Sequence, residues 1–167
     1  MSDDIKKKID VVFIAGGKFH DIDFARLEIL KLLAEDDRMK TRVFEDYSNL
    51  HAIENADFLI TYTCDVRPTL EQQKALKKYV ASGKRWLALH GTNSILQFMS
   101  DGKVDSPRIA PIMMETLGSQ FIAHPPIEPY NVKVSQPDHP LVEGVEEFET
   151  TDELYLMELH GDLDVLL

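Results

Sequence analysis

Cysteine is almost missing from this 167-residue chain, where Cys64 stands alone. A lone thiol closes no internal disulfide, so the fold is not a disulfide scaffold, and a reducing, cytoplasmic compartment is the expectation. Long apolar runs are missing as well. None approaches the roughly 20 residues that span a bilayer. The opening MSDDIKKKID also lacks the apolar core of a secretory signal. Positive charge is scarce: 18 basic residues face 29 acidic ones, a net charge of −11. Nucleic acid and anionic membrane are held by cationic patches, so neither is an expected partner. Repeats, low-complexity tracts and linkers are absent too. With 44% hydrophobic and 28% charged residues, the composition is that of an ordinary globular protein. A chain of this length buries about 68–70% of its unfolded surface. One domain over 1–167, needing no metal or disulfide to fold, is therefore expected.

The stretch that organises the rest is KRWLALHGTNS, Lys84 to Ser94. Trp86 to Leu89 is uncharged and too short for a helix, and it reads as a strand buried on both faces, as in a parallel sheet. His90-Gly91 stops it, and Thr92-Asn93-Ser94 are helix-capping residues. Buried strand, tight turn and helix start together describe a nucleophile elbow. Amidotransferases and α/β-hydrolases carry Cys or Ser there. This chain carries His90 and Gly91, so the position is right and the usual nucleophile is missing.

The flanking chain alternates strands with helices. Asp10 to Ala15, DVVFIA, is β-branched and apolar, a good first strand, and Gly16-Gly17 ends it. Ile22 to Glu35 has helical spacing, with Asp21 or Asp23 to cap it. Thr41 to Glu45 and Asp57 to Thr61 read as the second and third strands, with Leu50 to Ala56 a polar connection between them. Thr69 and Gln72 form a capping box that opens a helix ended by Gly83. Beyond the elbow, Ile95 to Met99 reads as helix and Ser100 to Ser106 as loop. Pro111 to Leu117 reads as a short helix closed by Gly118. Tyr130 to Ser135 and Leu154 to Leu159 are candidate later strands. The alternation implies a mainly parallel α/β sheet covered on both sides. Ligands bind beyond the carboxyl ends of such strands, and His20, His90 and His124 fall there.

With these segments placed, the chain resembles the ThuA-like (trehalose-utilisation) family of the class I glutamine amidotransferase-like superfamily. The resemblance rests on Gly16-Gly17 with His20-Asp21, on LEQQKALKKYVASG from Leu70 to Gly83, and on His90-Gly91. It continues with GSQFIAH from Gly118 to His124, with His139-Pro140-Leu141, and with Thr151-Asp152-Glu153-Leu154-Tyr155. It covers about Asp10 to Tyr155, and the order and spacing of the motifs carry it. The resemblance implies a three-layer α/β/α, flavodoxin-like sandwich and a role in carbohydrate metabolism. Arg85-Trp86 stands where a Gly-rich entry to the elbow strand would be expected. Family domains usually continue past the Asp-Glu-x-Tyr motif, so this chain is either a short variant without the usual C-terminal segment or an incomplete one. Apolar Val165, Leu166 and Leu167 are then expected to pair into the sheet or to lie against a second copy in a homodimer.

Imidazole is the common zinc ligand and the usual general base near neutral pH. His20, His90 and His124 are therefore the candidate metal set for a divalent ion such as zinc. His90, His20 and Glu153 are the candidate catalytic groups. Gly17, Gly91, Thr92, His124 and Asp152 are candidate ligand contacts, the backbone N–H groups of Gly91 and Thr92 being suited to an anion. Gly91 is read as a glycine because an elbow forces strained dihedrals. Asp21 reads as a cap, Cys64 as a structural thiol, and His51, His139 and His160 as loop or turn residues. Three functions compete. The first is a sugar-directed enzyme, of hydrolase or isomerase type, using acid–base or metal-assisted chemistry. The second is a non-catalytic sugar-binding module. The third is a glutaminase or cysteine hydrolase, which the missing elbow cysteine argues against.

Overall fold

The computed structural model of the chain describes residues 7–167. The first six residues of the stretch examined for a secretory signal lie outside them. The central sheet contains β1 (Ile9–Gly17), β2 (Met39–Phe44), β3 (Phe58–Cys64) and β4 (Arg85–Leu89). Its order is β2-β1-β3-β4, and every pairing is parallel. Residues Val11 to Ala15 of β1 are fully buried. This is why an unbroken apolar run, without polar alternation, lies at the middle of the sheet.

Helices cover both faces, which gives the three-layer α/β/α arrangement. Successive side chains of a strand point to opposite faces, and β1 builds one core on each. Val11, Phe13 and Ala15 meet Ile22, Ile29, Leu30 and Leu33 of α1 (Ile22–Leu33). Val12 and Ile14 meet the other face, covered by α2 (Leu50–Asn55), α3 (Leu70–Ala81) and α4 (Pro111–Leu117). Ala52, Ile53, Leu76, Tyr79, Met113 and Met114 fill that second core. The Asp21 carboxylate caps α1 by accepting the Phe24 N–H at 2.9 Å. The Thr69–Gln72 capping box opens α3, with both reciprocal bonds formed. Gly118 ends α4.

Four local expectations are corrected. Leu50 to Ala56 is not a polar connection but contains α2, capped by Asn49, whose side chain accepts the Ala52 N–H. A helix this short shows too little periodicity to be read, yet it buries Ala52 and Ile53. Second, β4 is not buried on both faces: Leu87 is 45% exposed. Among the described residues its only ladder partner is β3, so it is the edge of the sheet they form. Third, no helix follows the elbow. Residues 90–93 form a single 3-10 turn, and Gln97–Phe98 is a short strand, β5. Tertiary bonds draw this segment out: Asp65 donates its N–H to the Ser94 carbonyl and its carboxylate accepts the Leu96 N–H. Fourth, the expected loop after residue 100 contains β6 (Val104–Asp105), which pairs antiparallel with β5.

Two further antiparallel pairs lie beside the main sheet. β7 (Ser119–Ala123) pairs with β10 (Leu156–Leu159), and β8 (Glu128–Val132) with β9 (Phe148–Asp152). Val165 to Leu167 form no strand. Their backbone is bonded instead to the segment after β8, where the Leu166 carbonyl accepts the Ser135 N–H at 2.8 Å. The Val165 and Leu167 side chains are about half exposed, at 49% and 52%.

Candidate functional site at the carboxyl edge of the sheet

In the order β2-β1-β3-β4 the chain leaves β1 on one side for β2 and crosses to the other for β3. The switch point between β1 and β3 opens a crevice beyond their carboxyl ends. His20 follows β1, Cys64 ends β3, and His90 comes directly after β4. The backbones of β1 and β3 touch at this edge. A Cβ added to Gly17 would fall 1.9 Å from the Cys64 carbonyl oxygen, so only glycine fits. The Lys18 N–H then donates to that same oxygen at 3.0 Å. Gly17 therefore sets the path of the loop that carries His20.

The elbow is strained at a different residue from the one the sequence suggests. His90 has the left-handed φ of 45°, and Gly91 has no positive φ. For a residue with a Cβ that backbone costs about 1–2 kcal/mol. Gly91 is instead a glycine because of crowding: an added Cβ would lie 2.9 Å from the Thr63 carbonyl oxygen, 3.0 Å from Cys64 Cβ and 3.3 Å from His20 Nε2. The turn is pinned from beneath by the buried Thr92 hydroxyl, which lies 2.8 Å from the Leu89 carbonyl and 3.1 Å from Thr61. That hydroxyl is thus occupied within the protein.

The two histidines meet edge to face, with ring centroids 4.4 Å apart, and Tyr62 of β3 stacks beside His90 at 5.9 Å. Glu153, just after β9, completes the group. Its Oε2 lies 3.3 Å from His90 Nε2, and its Oε1 lies 3.7 Å from His124 Nε2. One donor atom from each of His20, His90 and Glu153 lies within 4.8 Å of the other two. His124, beyond the end of β7, reaches this group through the far oxygen of Glu153, while its Nδ1 lies 2.8 Å from the Pro125 carbonyl. Asp152 is exposed and accepts the Glu153 N–H at 2.8 Å, so it orients the backbone that carries Glu153.

Burial holds His20 below the ordinary histidine range, and the neighbouring His90 pushes it the same way against the pull of Glu153 and Asp152. His20 is accordingly neutral near pH 7. Tyr155 was given no role by the sequence. It stands two residues beyond Glu153, and its hydroxyl is 3.2 Å from His90 Nε2. Burial, reinforced by the Glu153 charge, raises its phenol, which stays protonated. Its ring packs on Phe121 at 4.5 Å. Cys64 is buried, and burial, with help from Asp65 and Glu153, pushes its thiol up to about 11. This is the opposite of what a nucleophilic cysteine needs.

A cavity of about 410 Å3 opens against this group, walled by Phe19, Leu96, Phe98 and Phe121 with His20, His124, Glu153 and Tyr155. A second, of about 470 Å3, lies along His90, Thr92, Asn93, Asp152 and Tyr130 and shares Glu153 and Tyr155 with the first. Such apolar walls with a few converging polar groups are the usual make-up of a small-molecule site. The remaining histidines lie outside it. His51 is in α2, and His139 caps a short turn by accepting the Leu141 N–H.

The family profile for ThuA, described as trehalose utilisation, matches residues 10–167. Among solved structures, a ThuA-like protein from Bacteroides uniformis superposes with a TM-score of 0.67 at 17% identity, over 91% of this chain and 62% of that one. A ThuA-like protein from Parabacteroides merdae gives 0.64 at 16% identity, over 96% of this chain and 67% of that one. The chain thus spans a little under two thirds of the length of the first. No curated protein matches it. Among the described residues, no helix is long and apolar enough to cross a membrane.

Proposed function

The chain belongs to the ThuA, trehalose-utilisation, family, and from that membership and the site geometry we propose that it acts on a sugar or sugar derivative by acid–base or metal-assisted chemistry. The observation that carries this reading is the Glu153 carboxylate, held between His90 at 3.3 Å and His124 at 3.7 Å beside an open, apolar-walled cavity. An imidazole paired with a carboxylate is a proton-transfer unit, worth roughly 10²–10⁴-fold in rate when positioned on substrate. In this reading His90 takes a proton from a substrate hydroxyl or carbon acid and Glu153 holds the imidazolium that forms. Neutral His20 stands ready as a second base or ligand, and the protonated Tyr155 hydroxyl donates to developing negative charge. His124 and Asp152 position Glu153. The phenylalanine walls suit the apolar C–H face of a sugar ring.

We further propose that the protein is no glutaminase. Its elbow residue is His90, and Cys64 is buried with its thiol raised. A cytoplasmic homodimer, joined through exposed apolar side chains such as Leu156, Leu159 and Leu167, completes the proposal. Light scattering tests the dimer, and a strict monomer would remove it. The enzyme reading is tested by incubating the protein with trehalose, glucose and alkyl or aryl glucosides and following bound and converted sugar by NMR. Conversion is expected in the wild type and should be lost in Glu153→Gln and His90→Ala. Saturable sugar binding with no conversion would instead identify a binding module. Neither binding nor conversion would sink both.

A further inference from the structure

We propose that His20, His90 and Glu153 together bind one divalent transition-metal ion of the zinc class, with Glu153 in place of His124 as the third ligand. This deepens the reading above by choosing between its two chemistries, although metal uptake itself does not depend on a sugar. The donors come from three separate parts of the chain, after β1, after β4 and after β9, and yet converge. One nitrogen or oxygen from each lies within 4.8 Å of the other two. With bonds of about 2.0–2.2 Å, ligands on one tetrahedral ion stand about 3.3–3.6 Å apart. Side-chain rotation has to draw the donors in by at most about 1.5 Å.

The chemistry of the set selects the ion. Two imidazoles and one carboxylate suit zinc and its first-row neighbours, whereas calcium and magnesium want oxygen throughout. Three protein ligands leave a position open, as catalytic metal sites do and structural ones do not. The surroundings fit as well. His124 touches the other Glu153 oxygen, the place of an outer partner that orients a ligating carboxylate. The Tyr155 hydroxyl, 3.2 Å from His90 Nε2, stands beside the ion as a proton donor for whatever occupies the open position. The His20 and His90 rings already meet edge to face, with centroids 4.4 Å apart.

The test is metal uptake. Metal-free protein without a histidine tag is titrated calorimetrically with zinc and with cobalt(II), and one ion per chain is expected. Glu153→Gln keeps the side-chain volume and removes the charge. It should weaken uptake by about a hundredfold or more, at least the upper end of what losing an outer partner costs. His20→Ala and His90→Ala should do the same, with circular dichroism confirming that they fold. His124→Ala should cost about tenfold, the lower end of what losing an outer partner costs. Cobalt should give visible absorption bands that Glu153→Gln abolishes. The proposal is overturned by the absence of stoichiometric uptake, by uptake indifferent to Glu153→Gln, by calcium binding as tightly as zinc, or by His124→Ala being as damaging as His90→Ala. Zinc uptake without sugar binding would leave this inference standing and remove the sugar reading. Sugar conversion by protein that takes up no zinc would do the reverse.

Discussion

Replacing Gly91 by alanine separates two explanations of the elbow that predict opposite signs. If Gly91 were present by accident, Gly91→Ala would stabilise the protein by about 0.4–1 kcal/mol, because alanine restricts the unfolded chain. Gly91 has no positive φ, so no backbone strain opposes the change. The structure adds a contact term. The new Cβ meets the Thr63 carbonyl oxygen at 2.9 Å and Cys64 Cβ at 3.0 Å. Both belong to the end of β3, where Thr63 and Cys64 are paired to Gly16 and Gly17 of β1 and so resist moving. Overpacking of this kind costs about 1–3 kcal/mol. The net is a loss of up to about 2.6 kcal/mol, with a midpoint of about 1.3 kcal/mol, after the unfolded-state gain is subtracted. At roughly 2–4 °C per kcal/mol for a chain of this size, that midpoint is a fall of about 3–5 °C in Tm. Gly83→Ala is the contrasting control, since Gly83 has φ of 85° with nothing within 4 Å of an added Cβ. It should cost about 1 kcal/mol through backbone strain alone. The two variants differ at the site. In Gly91→Ala the Cβ also presses His20 Nε2 at 3.3 Å, so the His20 and His90 ring resonances should shift, whereas Gly83→Ala should leave them in place. Denaturant unfolding and proton–nitrogen spectra of the imidazoles read both effects. A Gly91→Ala protein as stable as the wild type, with unmoved histidine resonances, would refute the crowding argument.

Three other outcomes are expected. Cys64, with its thiol pushed up to about 11, should carry ~100-fold less thiolate at pH 8 than an ordinary cysteine near 9, because each unit of pKa is a factor of ten. Disulfide reagents should therefore label it slowly in native protein and fully after denaturation, and fast native labelling would contradict its burial. Thr69→Ala removes the acceptor for the Gln72 N–H and should cost about 1 kcal/mol in a urea titration; no change would mean that the capping box is idle. Asp65 has a side chain only 4% exposed and accepts from Lys18, Arg67 and the Leu96 N–H. Burial alone would raise its carboxyl, but these donors outweigh it and hold it below the ordinary range. A lowered folded-state pKa gives stability that is present above the unfolded value near 3.9 and lost as pH falls through the folded one. Asp65→Asn should thus destabilise the protein at pH 7 by about 1.5–3 kcal/mol, the worth of hydrogen bonds to a charged group. The deficit should shrink below about pH 4, where the carboxylate of the unfolded wild-type chain begins to protonate. A deficit constant down to pH 3 would assign the effect to shape rather than charge.

The parts of this molecule that were legible in the sequence are those fixed by local chemistry. The Thr69–Gln72 box, the Asp21 cap, the Pro111–Leu117 helix and the unbroken apolar run of β1 each follow from residues within a turn or a strand of one another. The misreadings share the opposite cause. Ile95 to Met99 has helical composition, but Asp65, some thirty residues away in the chain, takes its backbone bonds and draws it extended. β4 reads as a central strand because its residues are apolar. Burial depends on how many neighbours a strand has, and β4 is paired only with β3. The site divides along the same line. The sheet-edge rule was enough to bring His20 and His90 together, since each follows directly on a parallel strand. It could not tell whether His124 or Glu153 comes nearer to them, because His124 follows β7 and Glu153 follows β9, strands of the small antiparallel pairs beside the main sheet, and sequence spacing says nothing about how those pairs are docked. Tyr155 was visible inside the Thr151–Tyr155 motif, and its two-residue offset from Glu153 was the available signal, but only the fold shows that it faces His90. The elbow makes the same point about strain. Convention puts glycine where the backbone is strained, yet here His90 carries the left-handed φ and Gly91 the crowding. A strained residue with a side chain is retained only when the surrounding structure over-determines it. What over-determines His90 is the packing of Gly91 against β3 and the Thr92 hydroxyl bonded to Leu89 and Thr61. The left-handed backbone therefore falls on His90, whose imidazole ring lies 4.4 Å from that of His20.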